Sequence, residues 1–239
     1  GKSPQIIFDD ADLDAAIPVV VNAIVQNSGQ TCSAGSRVLI QQGIYEPLLQ
    51  RLGEAFSLLQ AGSAAMNLDL GPLIRASQLE RVTGFLDQAR ADGIAVVAQG
   101  KIAAGVPAGG FYQAPTLLRD VPVMHRLAQE EVFGPVLSVV TFDTEDQALD
   151  LANDTPYGLA SGVFTRSLTR AHRMIRGIRA GVVWVNTYRA VSPIAPFGGH
   201  GLSGHGREGG MAAALDYTTV KTVWLRTSDD PIPDPFVMR

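Results

Sequence analysis

The run DLDAAIPVVVNAIVQNSGQTCSAGSRVLIQ, from Asp12 to Gln41, decides the fold. Asp9, Asp10 and Asp12 place negative charge where a helix begins, which the helix dipole favours. The residues that follow predict a helix to about Asn27, and Gly29 stops it. After a turn of small residues, Arg37 to Gln41 reads as a strand. Helix, turn and strand in that order open an α/β alternation.

The alternation continues outward. Helices are predicted at Glu46 to Gln60, Ala76 to Asp92, Glu145 to Asn153 and Leu168 to Gly177. Strands are predicted at Ile94 to Ala98, Tyr112 to Leu118, Val136 to Thr141, Ser161 to Thr165 and Val182 to Asn186. Gly100 to Gly110 is rich in Gly and Ala and reads as a loop or hairpin. A short helix after Gly210 leads to Tyr217 to Arg226, a strand-like segment rich in β-branched and aromatic residues. Alternation places Tyr217, Thr219, Lys221, Val223 and Leu225 on one face of it. Asp229 to Phe236 carries three prolines and is expected to be extended. No repeat and no shift of composition divides the chain, so residues 1–214 are expected to form one domain and 215–239 an assembly strand and tail.

Composition removes several classes of function. With 46% hydrophobic and 18% charged residues in 239, the chain can bury an ordinary globular core. A net charge of -4 and a pI of about 5.5 leave no basic stripe for nucleic acid or an anionic membrane. The arginines at 166, 170, 173, 176 and 179 are spaced as a solvated helix face. The longest apolar stretch, Ile17 to Val25, is too short to span a bilayer and contains Pro18 and Asn22. Gly1-Lys2-Ser3-Pro4 carries no signal-peptide pattern, and one cysteine fits a reducing cytoplasm. A single cysteine and scattered histidines offer no metal-ligand spacing. A capped helix so soon after a first residue that is not Met reads as the middle of a longer protein.

Three segments carry chemistry. Cys32 lies in Gly29-Gln30-Thr31-Cys32-Ser33-Ala34-Gly35, among small and polar neighbours between a helix end and a strand. Backbone N–H groups of such a turn can polarise a carbonyl while a thiolate attacks it, although context alone leaves core packing equally open. Gln129-Glu130-Glu131-Val132-Phe133-Gly134-Pro135-Val136 sets two carboxylates and an aromatic ring before a turn and a strand. Pro196-Phe197-Gly198-Gly199-His200-Gly201-Leu202-Ser203-Gly204-His205-Gly206-Arg207-Glu208 is glycine-rich beside an acid and suits close backbone approach. Its letters match G-x-G-x-x-G, but no strand precedes the match and no helix opens from it, so it is not a dinucleotide fingerprint.

In this order, together with Gly1-Lys2-Ser3-Pro4 and Asn153-Asp154-Thr155-Pro156-Tyr157-Gly158-Leu159, these motifs resemble the aldehyde dehydrogenase superfamily from end to end. The resemblance implies its catalytic domain: a mainly parallel twisted sheet flanked by helices, with a C-terminal oligomerisation strand and assembly as dimers or tetramers. It makes Cys32 the nucleophile and Glu208 a second acid behind it. It assigns Glu131 to the nicotinamide-side ribose of NAD or NADP and Phe133 to the nicotinamide ring. Asn186 becomes a buried asparagine near the site, and Thr31, Ser33, Tyr188, Val191 and Phe197 line the aldehyde tunnel. The implied reaction takes an aldehyde through a thiohemiacetal and a thioester to an acid. In relatives the dinucleotide-binding domain, the oxyanion-hole amide and the general-base glutamate belong ahead of the position of Gly1. The chain therefore reads as a fragment, expected neither to bind NAD(P) appreciably nor to turn over alone. The rival readings are a CoA-acylating semialdehyde dehydrogenase, which Glu208 and Pro196-Phe197-Gly198-Gly199 weigh against, and a non-catalytic oligomerisation module. For the aldehyde, Tyr188 and Phe197 suit an aromatic or aliphatic group and Arg189 an acidic one.

Overall fold

Four fully buried residues, Pro4–Ile7, form the first strand (β1), an inner strand of the main sheet. Nothing in the sequence marks it, because four residues led by a proline carry no alternation. Proline is tolerated at the first position of a strand, where no ladder hydrogen bond is yet required of it. The structure, a computed structural model, describes residues 1–231, 234, 236 and 237.

Helix α1 (Leu13–Val25) follows, with the Asp12 side chain accepting from the Ala15 amide at 3.2 Å as its N-cap. Then come β2 (Arg37–Gln41), α2 (Tyr45–Leu58), α3 (Ala76–Ala91), β3 (Val96–Gln99), β4 (Thr116–Leu118) and β5 (Val136–Phe142). Helix α4 (Glu145–Asn153), β6 (Ala160–Phe164), α5 (Leu168–Gly177) and β7 (Val182–Val185) complete the main layers. The seven-stranded sheet has the order β7-β6-β1-β2-β5-β4-β3, with every neighbouring pair parallel except β3 and β4. The expected mixed α/β layer with a mainly parallel sheet is thus observed. The predicted strand from Tyr112 shortens to Thr116–Leu118, since the backbone through Pro115 joins no ladder.

Both faces of the sheet are covered. Val38, Ile40, Leu137 and Val139 pack under Val20 and Ile24 of α1 and Leu48, Leu52 and Phe56 of α2. On the other face Ile6, Leu39, Val140 and Phe142 meet Ala148 of α4 and Met174 of α5. Burying each large apolar side chain contributes roughly 1.5–3 kcal/mol, so the strands hold their register firmly. The arginine-rich helix α5 is solvated but not idle: Arg170 pairs with Asp10 at 2.8 Å and Arg173 with Glu145 at 2.5 Å.

Because the inner strands are parallel, the segments that precede them share one edge of the sheet. Gly1 to Ser3 enters β1, Thr31 to Ser36 enters β2, Glu131 to Pro135 enters β5 and Tyr157 to Leu159 enters β6. His200–Gly201 pairs antiparallel with Tyr157–Gly158, which carries the glycine-rich segment back to that same edge.

Tyr217 to Arg226 joins no ladder in the single chain and lies exposed, Val220 and Trp224 at more than nine-tenths. A strand needs a partner backbone, and this chain offers it none among the described residues. The extended tail expected at Asp229 to Phe236 falls partly on residues 232, 233 and 235, outside the described ones.

At the amino edge Arg37 is buried but satisfied, donating to the carbonyls of Lys2, Leu151 and Ala152 at 2.9 to 3.0 Å. The last two carbonyls close α4, where a helix favours positive charge. The Lys2 ammonium, also buried, has no such partner among the described residues. Burial first, and Arg37 second, pull its pKa from 10.5 down to about 7. Between those values the unfolded chain binds a proton that the folded chain does not, so stability rises with pH from about 7 to 10.5. This group contributes a slope of up to about 1.4 kcal/mol per pH unit. Denaturant unfolding across that range should show the rise in wild type and lose it in Lys2→Met; equal slopes would mean that Lys2 is charged in the fold.

Candidate active site

The cysteine loop is built on backbone geometry that few residues tolerate. Helix α1 ends in a turn in which Asn27, Ser28 and Gly29 have φ of 52°, 56° and 72° in succession. Non-glycine residues in this left-handed region cost of order 1 kcal/mol each and persist only where the surroundings fix them. Here the Ser28 hydroxyl donates to the Gly71 carbonyl at 2.7 Å, and the Gln30 side-chain oxygen accepts from the Ile74 amide at 2.9 Å. The Asn27 side chain closes onto the Gln30 carbonyl at 2.9 Å.

Gly29 is required for a second reason. A Cβ there would collide with the Gly134 carbonyl and come 2.8 Å from the Pro135 nitrogen. The cysteine loop and the Glu131–Pro135 loop therefore touch backbone to backbone. The second loop is held in turn: the Gln78 amide donates to the Val132 and Phe133 carbonyls at 3.0 and 2.8 Å, and Arg81 to the Glu131 carbonyl at 2.5 Å. Phe133, with φ of 59°, is half-buried, as is Glu131. Gly1 lies against the Cys32 carbonyl, where an added Cβ would stand 3.1 Å away.

Cys32 sits exposed in a turn closed by the Ala34 amide on the Thr31 carbonyl at 3.0 Å. The Gly35 amide ties the turn to Ala23 of α1 at 3.0 Å, while the Cys32 and Ser33 amides donate to no backbone carbonyl among the described residues. Thr31 is half-exposed and Ser33 is buried. The Tyr188 hydroxyl donates to the Ser33 carbonyl at 2.9 Å, and its ring stands edge-on to Trp184, centroids 4.6 Å apart. Burial pushes the Tyr188 phenol well above its ordinary range, so it remains a donor.

Beneath the turn lies a polar floor that the sequence reading missed. Gln5 is fully buried opposite Gly162 in the register of β1 and β6, and its amide fills space left open by Gly35 and Gly162. Its amide atoms and the Ser3 and Ser36 hydroxyls have no hydrogen-bond partner among the described residues. No signal for Gln5 was available while Pro4–Ile7 went unread as a strand.

Cys32 opens into a cleft of about 580 Å³ that it shares with Phe197, Arg207, Glu208 and Tyr217. Phe197 and Glu208 exchange backbone hydrogen bonds, both 2.7 Å, which fold the glycine-rich segment into a hairpin-like wall. Val191, three-quarters exposed, lines an adjoining pocket of about 350 Å³ with the same Phe197 and Glu208. Asn186 does not join them. It is exposed rather than buried, and it follows β7 at the opposite edge of the sheet. There its side chain accepts from the Thr165 amide at 3.0 Å and donates to the Thr165 carbonyl at 2.9 Å. Its φ of 53° places it in the left-handed region at the start of the loop that carries Tyr188.

One edge of the parallel layer thus presents a cysteine turn, a pinned carboxylate–phenylalanine loop and a glycine-rich acidic wall. The chain belongs to the aldehyde dehydrogenase family, whose model matches residues 1–223. It is 51% identical to a (Z)-2-((N-methylformamido)methylene)-5-hydroxybutyrolactone dehydrogenase of Acinetobacter baylyi, over 100% of this chain and 49% of that protein. It is 44% identical to a betaine aldehyde dehydrogenase of Cereibacter sphaeroides, over 99% of this chain and 48% of that one. The NAD+ complex of an aldehyde dehydrogenase from Bacillus cereus superposes with a TM-score of 0.89 at 38% identity, over 95% of this chain and 46% of that one. The chain thus spans about half the length of the relatives it matches. No helix among the described residues is long and apolar enough to cross a membrane.

The contact of Gly29 with Gly134 generates a direct test. Gly29→Ala adds both a left-handed strain and a backbone collision, and should cost more than about 1 kcal/mol. Denaturant melting of the two proteins decides it, and a wild-type midpoint for the variant would show that the loops can part without loss.

Proposed function

We propose that the protein to which this chain belongs oxidises an aldehyde to a carboxylic acid with NAD or NADP, and that Cys32 is its nucleophile. The observation that carries the reading is the exposed Cys32 turn, pinned on all sides and opening to the same cleft as Glu208. The Cys32 thiolate adds to the aldehyde carbon, and the resulting oxyanion lies within the field of the free Cys32 and Ser33 amides. Bound NAD(P) supplies the hydride acceptor. The Glu131 carboxylate, held on a loop that cannot swing, has the two acceptor oxygens that a ribose diol requires, and the Phe133 ring offers a flat face beside it. These side chains suit the cofactor, though they form only one edge of a site. Loss of hydride leaves a thioester on Cys32. A general base supplied from ahead of Gly1 takes the proton of the water that hydrolyses it, and Glu208, across the cleft, relays that proton away. Tyr188 and Phe197 wall the aldehyde's approach, with Thr31, Ser33 and Val191 completing it. The cell compartment that suits a lone reactive thiol is the reducing cytoplasm.

Two measurements test this reading. In the full-length protein, Cys32→Ala should lower the rate of reduced-cofactor formation by at least roughly a thousandfold. In the chain as it stands, iodoacetamide at neutral pH should label Cys32 at the rate of an accessible thiol. A variant that keeps its turnover would end the assignment.

Assembly belongs to the same reading. Tyr217 to Leu225 is an alternating, β-branched segment with no partner among the described residues of its own chain, and such an edge is covered in stable proteins. A second copy of the chain is the proposed cover, making the protein a dimer or tetramer, with residues 1–214 as the catalytic domain. Sedimentation should give an oligomer for the chain and a monomer after truncation at Ala214; a monomer in both would remove the assembly strand.

A further inference from the structure

Four buried polar atoms on one patch of the sheet have no hydrogen-bond partner among the described residues: both amide atoms of Gln5 and the hydroxyls of Ser3 and Ser36. Ser3 and Gln5 alternate along the strand direction and so share a face, and Ser36 lies next to Ser3 in the register of β1 and β2. Unsatisfied buried groups are costly, and folded proteins keep few of them. Packing does not call for the amide, since a methionine of similar length fills such space with no polar atom. The surroundings are nevertheless shaped to it. A Cβ on Gly162, the partner of Gln5 on β6, would come 2.5 Å from Gln5 Oε1, and one on Gly35 of the cysteine turn 2.8 Å from its Nε2. The same Gly162 Cβ would meet the Tyr188 ring at 3.1 Å, and the Gly35 one the Ala23 side chain at 3.0 Å. The cysteine turn, α1, β6 and Tyr188 thus converge on one side chain.

Tyr188 links this patch to the nucleophile. Its phenol donates to the carbonyl of Ser33, the residue after Cys32, at 2.9 Å, which leaves the phenol oxygen able to accept. Burial raises the Tyr188 pKa, and the Ser3 and Gln5 side chains act against that rise, as donors beside the phenol oxygen do. We infer that Gln5 is a positioning residue for Cys32: its amide and the Ser3 hydroxyl hold the acceptor side of the Tyr188 phenol, the phenol holds the Ser33 carbonyl, and the turn is thereby fixed with the Cys32 and Ser33 amides aimed at the reacting carbon's oxygen. The inference rests on the reading of Cys32 as the nucleophile and of those two amides as donors to its oxyanion. Gln5 itself touches neither aldehyde nor cofactor and acts through Tyr188. Because the amides count most when the oxyanion forms, loss of Gln5 falls on kcat and not on aldehyde binding.

Steady-state kinetics of the full-length protein test this. Gln5→Met keeps the bulk and removes the hydrogen bonds, and it should lower kcat at least roughly tenfold while the aldehyde KM stays within about twofold. Tyr188→Phe should cost a similar factor. The double variant should be no slower than the slower single one, since both cut the same chain of contacts. Ser3→Ala removes one hydroxyl and little bulk, and should lower kcat by a smaller factor with KM unchanged. A wild-type kcat in Gln5→Met, losses that multiply in the double variant, or a loss confined to KM would overturn the inference. Should Gln5→Met fail to fold, a wild-type kcat in Ser3→Ala overturns it instead. The nucleophile reading is judged apart from this: turnover persisting in Cys32→Ala would end that reading and the inference with it, whereas an inactive Cys32→Ala beside a fully active Gln5→Met would end only the part assigned to Gln5.

Discussion

The backbone contact between Gly29 and Gly134 is the constraint on which the rest of the site depends. Two loops that enter neighbouring strands can touch only if neither interposes a side chain. Gly29 supplies the missing Cβ and the positive φ, and Gly134 sits so tightly that its own Cβ would come 2.5 Å from Val82. The contact sets Cys32 and Glu131 in a fixed relation, although more than ninety residues of chain separate them. The left-handed run that precedes it is held from outside, through Gly71, Ile74 and, on the other loop, Gln78. The placing of Cys32 is therefore a property of α3 and its approach segment as much as of the cysteine loop.

Strand direction does the rest of the gathering. In a parallel sheet every connection must cross from one edge to the other, so the residues that precede the strands collect at the amino edge. Cys32, Glu131 and the Tyr157–Leu159 segment meet there for that reason. The carboxyl edge collects a different set: Asp10, which accepts from the Thr165 hydroxyl at 2.8 Å and pairs with Arg170, and Asn186. Those contacts lock the ends of β1, β6 and β7 and leave the chemistry to the other side. The loop after Asn186 brings Tyr188 and Arg189 to the flank of α1.

How much of this was legible can be judged residue by residue. The helix from Leu13, the strand at Arg37 and most later elements were readable, because caps, glycine stops and apolar runs are local signals. β1 was not, since four buried residues between a proline and an acidic cluster carry no period. With it went Gln5 and the polar floor, which exist only through the pairing of β1 with β6. Cys32, Glu131, Phe133 and Glu208 stand in the sequence as motif residues, but which of them share an edge of the sheet follows from strand order. Asn186 is exposed where the resemblance implies a buried asparagine, because burial depends on the surrounding fold and not on a pattern of letters.

The segment from Tyr217 shows the limit of reading a strand as a property of one sequence. Its alternation and β-branched residues are evident, yet alone it pairs with nothing, because a strand is a relation between two backbones. Tyr217 belongs to both halves of the problem: it begins this segment, largely exposed, and it also lines the cleft into which Cys32 opens. Asp216, beside it, accepts from the Arg207 amide at 3.0 Å and so fastens the start of the segment to the acidic wall. Whatever fixes Tyr217 to Leu225 must then fix one wall of the cleft as well. Tyr217 thus joins the cleft beside Cys32 and the exposed segment in a single residue.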